Sequence, residues 1–138
     1  MILRRDEKVE LISRIPLFAR CSKRELVKIA SLADQVDVPD GEVLTQEGKP
    51  GREFFVLVEG SAEVRKGSRK VATLGRGDFL GEIALLTNAP RTATVRTTTP
   101  VSVLVMTSRE FSTLLHRFPD IERKLLRAVA DRLAPTAL

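Results

Sequence analysis

Gly77-Asp78-Phe79-Leu80-Gly81-Glu82-Ile83-Ala84-Leu85-Leu86-Thr87-Asn88-Ala89-Pro90 runs into Arg91-Thr92-Ala93-Thr94-Val95. This one stretch combines a glycine turn, an acid inside an apolar run, a short series of helix formers and an arginine heading into a strand. Backbone amides at the start of a helix point outward without intrahelical partners, and the helix dipole adds favourable potential for an anion there. Gly81, just ahead of Glu82 to Leu86, lets a ligand approach the backbone where a Cβ would obstruct it. Arg91 offers a charged fork that can grip the same anion through paired hydrogen bonds. Glu82 needs its own account, because an acid beside an anion is repelled unless it accepts hydrogen bonds from something neutral. A sugar hydroxyl is such a partner, so the parts suit a small ligand with one negative charge and a sugar. The plainer alternative has Glu82 capping the short helix and Arg91 pairing with it as a partly buried ion pair.

Upstream and downstream of this stretch the periodicity divides the chain into three parts. To about residue 32 it is helical. Val9, Leu11, Ile12 and Ile15 are spaced for one helix, which Pro16 stops. Ser22-Lys23-Arg24-Glu25 then forms a capping box, with Leu26, Ile29, Ala30 and Ala33 making an apolar face behind it. Residues 33–106 read as short strands rich in valine, leucine, threonine and phenylalanine, punctuated by turns such as Pro39-Asp40-Gly41 and Gly75-Arg76-Gly77. The most apolar of them, Phe54-Phe55-Val56-Leu57-Val58, is expected to be covered on both faces. Residues 107–134 return to helix. Thr107-Ser108-Arg109-Glu110 is a second capping box, and Pro119 suits the first turn of a last helix whose stripe is Ile121, Leu125, Val129 and Leu133, widened by Leu126 and Ala130. The order predicts one α+β domain over 1–138: an antiparallel, jelly-roll-like β-roll flanked by N-terminal helices and two C-terminal helices, with a short helix inside 77–95.

Composition narrows the function classes. A chain of 138 residues, 43% hydrophobic and 30% charged, can bury a core of its own and is not of the disordered type. No apolar run approaches the roughly 18 residues of a membrane span. Met1-Ile2-Leu3-Arg4-Arg5-Asp6 has no apolar segment after its charges, so a cytoplasmic setting is expected. Cys21 is the single cysteine, which leaves no internal disulfide and no cysteine-based metal cluster. The net charge of +5 is dispersed: Arg4-Arg5-Asp6-Glu7-Lys8 and Glu122-Arg123-Lys124 interleave the two signs. No helix-turn-helix or zinc-finger pattern accompanies it, so direct DNA binding is not expected, although the surplus can steer an anionic ligand.

The stretch 77–95 resembles the phosphate-binding cassette of the cyclic nucleotide-binding domain family. Its usual form is Gly-Glu-(Ile/Leu)-Ala-Leu-Leu, a short spacer, then Pro-Arg-(Ser/Thr/Ala)-Ala-(Ser/Thr). Every one of those positions is filled here. Pro16-Leu17-Phe18, Gly41, Glu47-Gly48, Phe54-Phe55-Val56 and Glu59-Gly60 extend the resemblance over about residues 10 to 133. It implies that Glu82 binds the ribose 2′-hydroxyl of a cyclic nucleotide, cAMP or cGMP, while Gly81, Arg91 and the backbone at Ile83, Ala84 and Ala93 hold the phosphate. It places Thr92 near phosphate and base, where a hydroxyl can meet a guanine amino group. Receptors for cAMP also accept threonine there, so both bases stay open. It further implies a base pocket at Val64, Val71 and Leu74, for which ordinary core packing is the competing role. A C-terminal lid would draw on Leu126, Ala130 or Leu133. One departure is Arg52, in Gly51-Arg52-Glu53, where the family often has aspartate.

These expectations describe a binding module, not an enzyme, with no cofactor beyond its ligand. Its output passes to an effector domain or protein that the residues do not identify, and a homodimer is among the assemblies it allows. No Gly-x-x-x-x-Gly-Lys-(Ser/Thr) loop exists for a nucleoside triphosphate. His116 stands without a second histidine, which disfavours a metal-dependent β-roll enzyme. The remaining rival is an interaction or oligomerisation module of the same fold that binds no nucleotide.

Overall fold

The structure, a computed structural model, describes residues 5–133, with side chains for residues 6–131. Helix α1 (Arg5–Ser13) leads to a 3₁₀ turn (Pro16–Phe18) and to α2 (Lys23–Leu32). Five strands follow: β1 (Asp34–Val38), β2 (Val43–Thr45), β3 (Glu53–Glu59), β4 (Ala62–Lys66) and β5 (Arg69–Leu74). After β6 (Phe79–Leu80) come the short α3 (Glu82–Thr87), β7 (Thr94–Thr97) and β8 (Val101–Thr107). Helices α4 (Ser108–Arg117) and α5 (Pro119–Leu133) close the described chain.

The strands form two four-stranded antiparallel sheets, ordered β1-β8-β3-β6 and β2-β7-β4-β5. Side chains on a strand alternate between faces, and β3 uses both. Phe54, Val56 and Val58 join Leu104 and Met106 under the helices, in a cluster that also holds Ile12, Ile29, Phe111, Leu114, Ile121 and Leu125. Phe55 and Leu57 point the other way, into a second cluster with Ala62, Val95, Val101 and Val103. The first sheet is thus the middle layer between helices and the second sheet. That is why Phe54 to Val58 is an unbroken apolar run and is buried throughout, as the sequence leads one to expect.

Both capping boxes are formed. Ser22 accepts from the Glu25 amide while Glu25 accepts from the Ser22 amide, and Thr107 and Glu110 repeat the exchange. The first helix, however, ends earlier than its apolar spacing suggests. It stops at Ser13, and Ile15 is extended, with φ −81° and ψ 125°. The residue before a proline is pushed out of the helical region by the pyrrolidine ring, and Ile15 precedes Pro16. Its side chain is buried all the same, in the helical cluster.

Candidate ligand site

Gly81 opens the site. Its backbone is left-handed, with φ +96°, and it caps the N-terminus of α3. A Cβ there would lie 2.6 Å from the Glu53 carbonyl oxygen and 2.7 Å from Arg91 Nη1, so glycine is required both by conformation and by space. Beyond it α3 turns inward with Glu82 and Ala84 buried, while Leu85 and Leu86 pack against the helical cluster. Asn88, at φ +56°, ends the helix in the left-handed form that asparagine tolerates better than most residues.

Arg91 lies three residues before β7 rather than in it, yet its backbone is fixed. Its amide donates to the Lys49 carbonyl at 2.9 Å, and its carbonyl accepts from the Gly48 amide at 2.9 Å. The side chain is only 6% exposed. Nη1 donates to the Gly81 carbonyl at 3.2 Å and Nη2 to the Glu53 carbonyl at 2.8 Å, which engages two of the five guanidinium N–H groups. Burial pushes the Arg91 pKa below its ordinary value, partly offset by the charges of Glu53 and Glu82. Such a cation gains when an anion enters beside it.

The two charged residues face one cavity of about 410 Å³, within the size range of small-ligand pockets. One end is lined by Gly81, Glu82, Ile83, Ala84, Arg91, Thr92 and Ala93, so all seven cassette residues singled out in the sequence meet here. Glu82 is 0% exposed and Thr92 is exposed. The β4–β5 hairpin also lines the cavity, where Val64, Val71 and Leu74 are joined by Ala72. Val71 is 46% exposed, so it is a cavity wall and not a core side chain. Val64 and Leu74 divide their surface between the cavity and the inter-sheet cluster.

Thr45, Lys66 and Gly51 are among the contributors that were not singled out in the sequence. Thr45 lines the cavity and donates to the Ala93 carbonyl at 3.0 Å, tying β2 to the cassette. Lys66, two residues beyond Val64 and on the same face of β4, adds a second cation to the lining. Gly51 touches the Arg91 side chain. Thr45 and Gly51 reach the site from β2 and the loop after it, which no local spacing reveals, whereas Lys66 could have been found from its two-residue spacing to Val64.

The lid residues are placed differently. On α5, Ile121 and Leu125 are buried in the helical cluster, whereas Leu126 is 52% exposed and Ala130 is also exposed. Neither Leu126 nor Ala130 lines the cavity, and the side chain of Leu133 lies outside the described residues. Among the described residues no group of three or more His, Cys, Asp or Glu side chains could hold a metal ion, and no helix is long and apolar enough to cross a membrane.

Comparison with known proteins follows the same lines. The family model for the cyclic nucleotide-binding domain matches residues 35–118. A cAMP-dependent protein kinase regulatory subunit of Mycosarcoma maydis is 43% identical over 110 residues, which covers 73% of this chain and 21% of that protein. A cyclic nucleotide-gated potassium channel of Mesorhizobium japonicum is 34% identical over 128 residues, 93% of this chain and 36% of its own length. A solved protein kinase A regulatory domain, CBD2 bound to Sp-2Cl-cAMPS, superposes with a TM-score of 0.83 at 28% identity, covering 97% of this chain and 92% of that one. The chain spans only between 21% and 36% of the length of these two curated relatives. With the cassette, the roll and these matches in agreement, the chain belongs to the cyclic nucleotide-binding domain family.

Proposed function

We propose that the cavity binds a 3′,5′-cyclic nucleotide, cAMP or cGMP, and that the domain is a regulatory sensor which turns occupancy into movement of α5. The observation that carries this reading is the pairing of a fully buried acid, Glu82, with a buried arginine, Arg91, on the wall of a single nucleotide-sized cavity. Two such groups lining one cavity suit a ligand that brings both an anion and a hydrogen-bond donor. Arg91 and the first-turn amides at Ile83 and Ala84 serve the phosphate, Glu82 the ribose hydroxyl, and the apolar β4–β5 wall the base. The relatives named as a cAMP-dependent kinase regulatory subunit and a cyclic nucleotide-gated channel support the same assignment. The effector is a further domain or a separate protein.

Calorimetric titration of nucleotide-free protein with cAMP and cGMP, with 5′-AMP as the linear control, tests this. Saturable binding of a cyclic nucleotide is expected, with Arg91→Ala weakening it by about 10- to 100-fold, the worth of a lost charged hydrogen-bonding partner. Folded, nucleotide-free protein that binds neither would leave the interaction-module reading in its place.

A further inference from the structure

The guanidinium of Arg91 lies in a slot between two glycines that are far apart in sequence. A Cβ on Gly51 would fall 1.8 Å from Arg91 Nε, 2.2 Å from Cζ and 2.5 Å from Nη2. Three atoms of one rigid plane at those distances mean that the guanidinium lies across the bare Cα of Gly51. Gly81 bounds it on another side, and the Gly81 and Glu53 carbonyls hold its two terminal nitrogens. The same loop that carries Gly51 also clamps the Arg91 backbone through Gly48 and Lys49. Gly51, unlike Gly81, is not among the residues with positive φ. An alanine is therefore conformationally acceptable at 51, and the three nearest atoms it would strike all belong to the arginine.

We infer that Gly51 is a positioning residue for ligand binding: its missing side chain sets the pose in which Arg91 meets the phosphate. This rests on the cyclic nucleotide reading above. A methyl group at 51 forces the flexible end of Arg91 out of its slot and away from both carbonyls. The three nearest atoms it displaces all belong to that one side chain. The binding end of the cavity then loses its oriented fork although the arginine is still present.

A double-mutant cycle on the full chain decides the point, with Gly51→Ala, Arg91→Ala, the double variant and the parent titrated with cAMP and cGMP. Gly51→Ala should weaken binding by about tenfold or more, within the range of coupling between touching residues. In the Arg91→Ala background the same substitution should cost nothing further, because the slot is empty. Thermal melts of the four proteins give a ligand-independent arm: Gly51→Ala should lower the midpoint with Arg91 present relative to its effect once the arginine has been removed, where only the small backbone effect of replacing glycine remains. Parental affinity in Gly51→Ala, or an equal loss in both backgrounds, overturns the inference. If Gly51→Ala does not fold, the double variant should; failure of both overturns it too. If the parent binds neither nucleotide, the functional reading falls, and the melting cycle alone then decides the role of Gly51.

Discussion

Glu82 carries an unusual burden for a single residue. A carboxylate taken fully out of water costs several kcal/mol unless nearby groups compensate, and this one is 0% exposed on the wall of a cavity that Arg91 also lines. On the proposed reading a ribose hydroxyl donates to it, which gives a direct test. Glu82→Gln should lose about tenfold or more in cAMP affinity, and 2′-deoxy-cAMP should bind the parent more weakly by a similar factor. The two losses should not add, because each removes the same contact. Additive losses in calorimetric titration would mean that Glu82 acts through α3 instead of through the sugar. Glu82 and Arg91 were legible because the cassette writes both into one short segment. Gly51 and Thr45 were not, because each reaches the site from another strand or loop, while Lys66 had a usable signal in its two-residue spacing from Val64. A glycine whose importance is the room it leaves for a side chain forty positions downstream has no local signature.

At the scale of elements, the local devices were the most legible. Both capping boxes close through residues three apart, so their sequence suffices to announce them. The apolar β3 could be recognised as doubly covered because its two faces serve two clusters. Helix α5 was harder, since an apolar stripe says how much surface is to be covered and not by what. The stripe divides: Ile121 and Leu125 anchor the helix to the core, and Leu126 faces outward. Lys124 strengthens the anchorage by donating to the Pro16 and Leu17 carbonyls, both at 3.3 Å. Shortening the chain at Ile121 would therefore test stability more than lid function, as losing one such buried side chain alone costs about 2–5 kcal/mol. Ending the chain after Arg127 keeps both anchors. If the distal half of α5 closes over the base, that truncation and Leu126→Ala should each weaken cAMP binding severalfold with the melting temperature nearly kept. Unchanged affinity in both would retire the lid.

For the whole molecule, the question is how a ligand at one end of the roll could be felt at the last helix. The layered fold supplies physical continuity. Phe79 lines the cavity and its ring lies tilted against Phe54, 5.8 Å between centroids, and Phe54 meets Phe111 of α4 at 4.7 Å. Leu85 and Leu86 of the cassette helix pack against the cluster that holds Ile121 and Leu125. Contact alone does not make a switch, because a ligand moves an equilibrium only by its different affinity for the two arrangements. A sensor must therefore hold α5 differently when occupied, whereas a passive binding domain need only order its cavity. Hydrogen exchange separates these cases, since it reports local opening across the chain. With saturating cAMP, or cGMP if that binds more tightly, protection should rise in α3 and at 91–95. If occupancy is relayed, it should also change in the distal half of α5, beyond Leu125, where no described side chain lines the cavity. Protection confined to the cavity walls, with α5 exchanging at its ligand-free rate, would mean that the cassette binds without signalling through this helix.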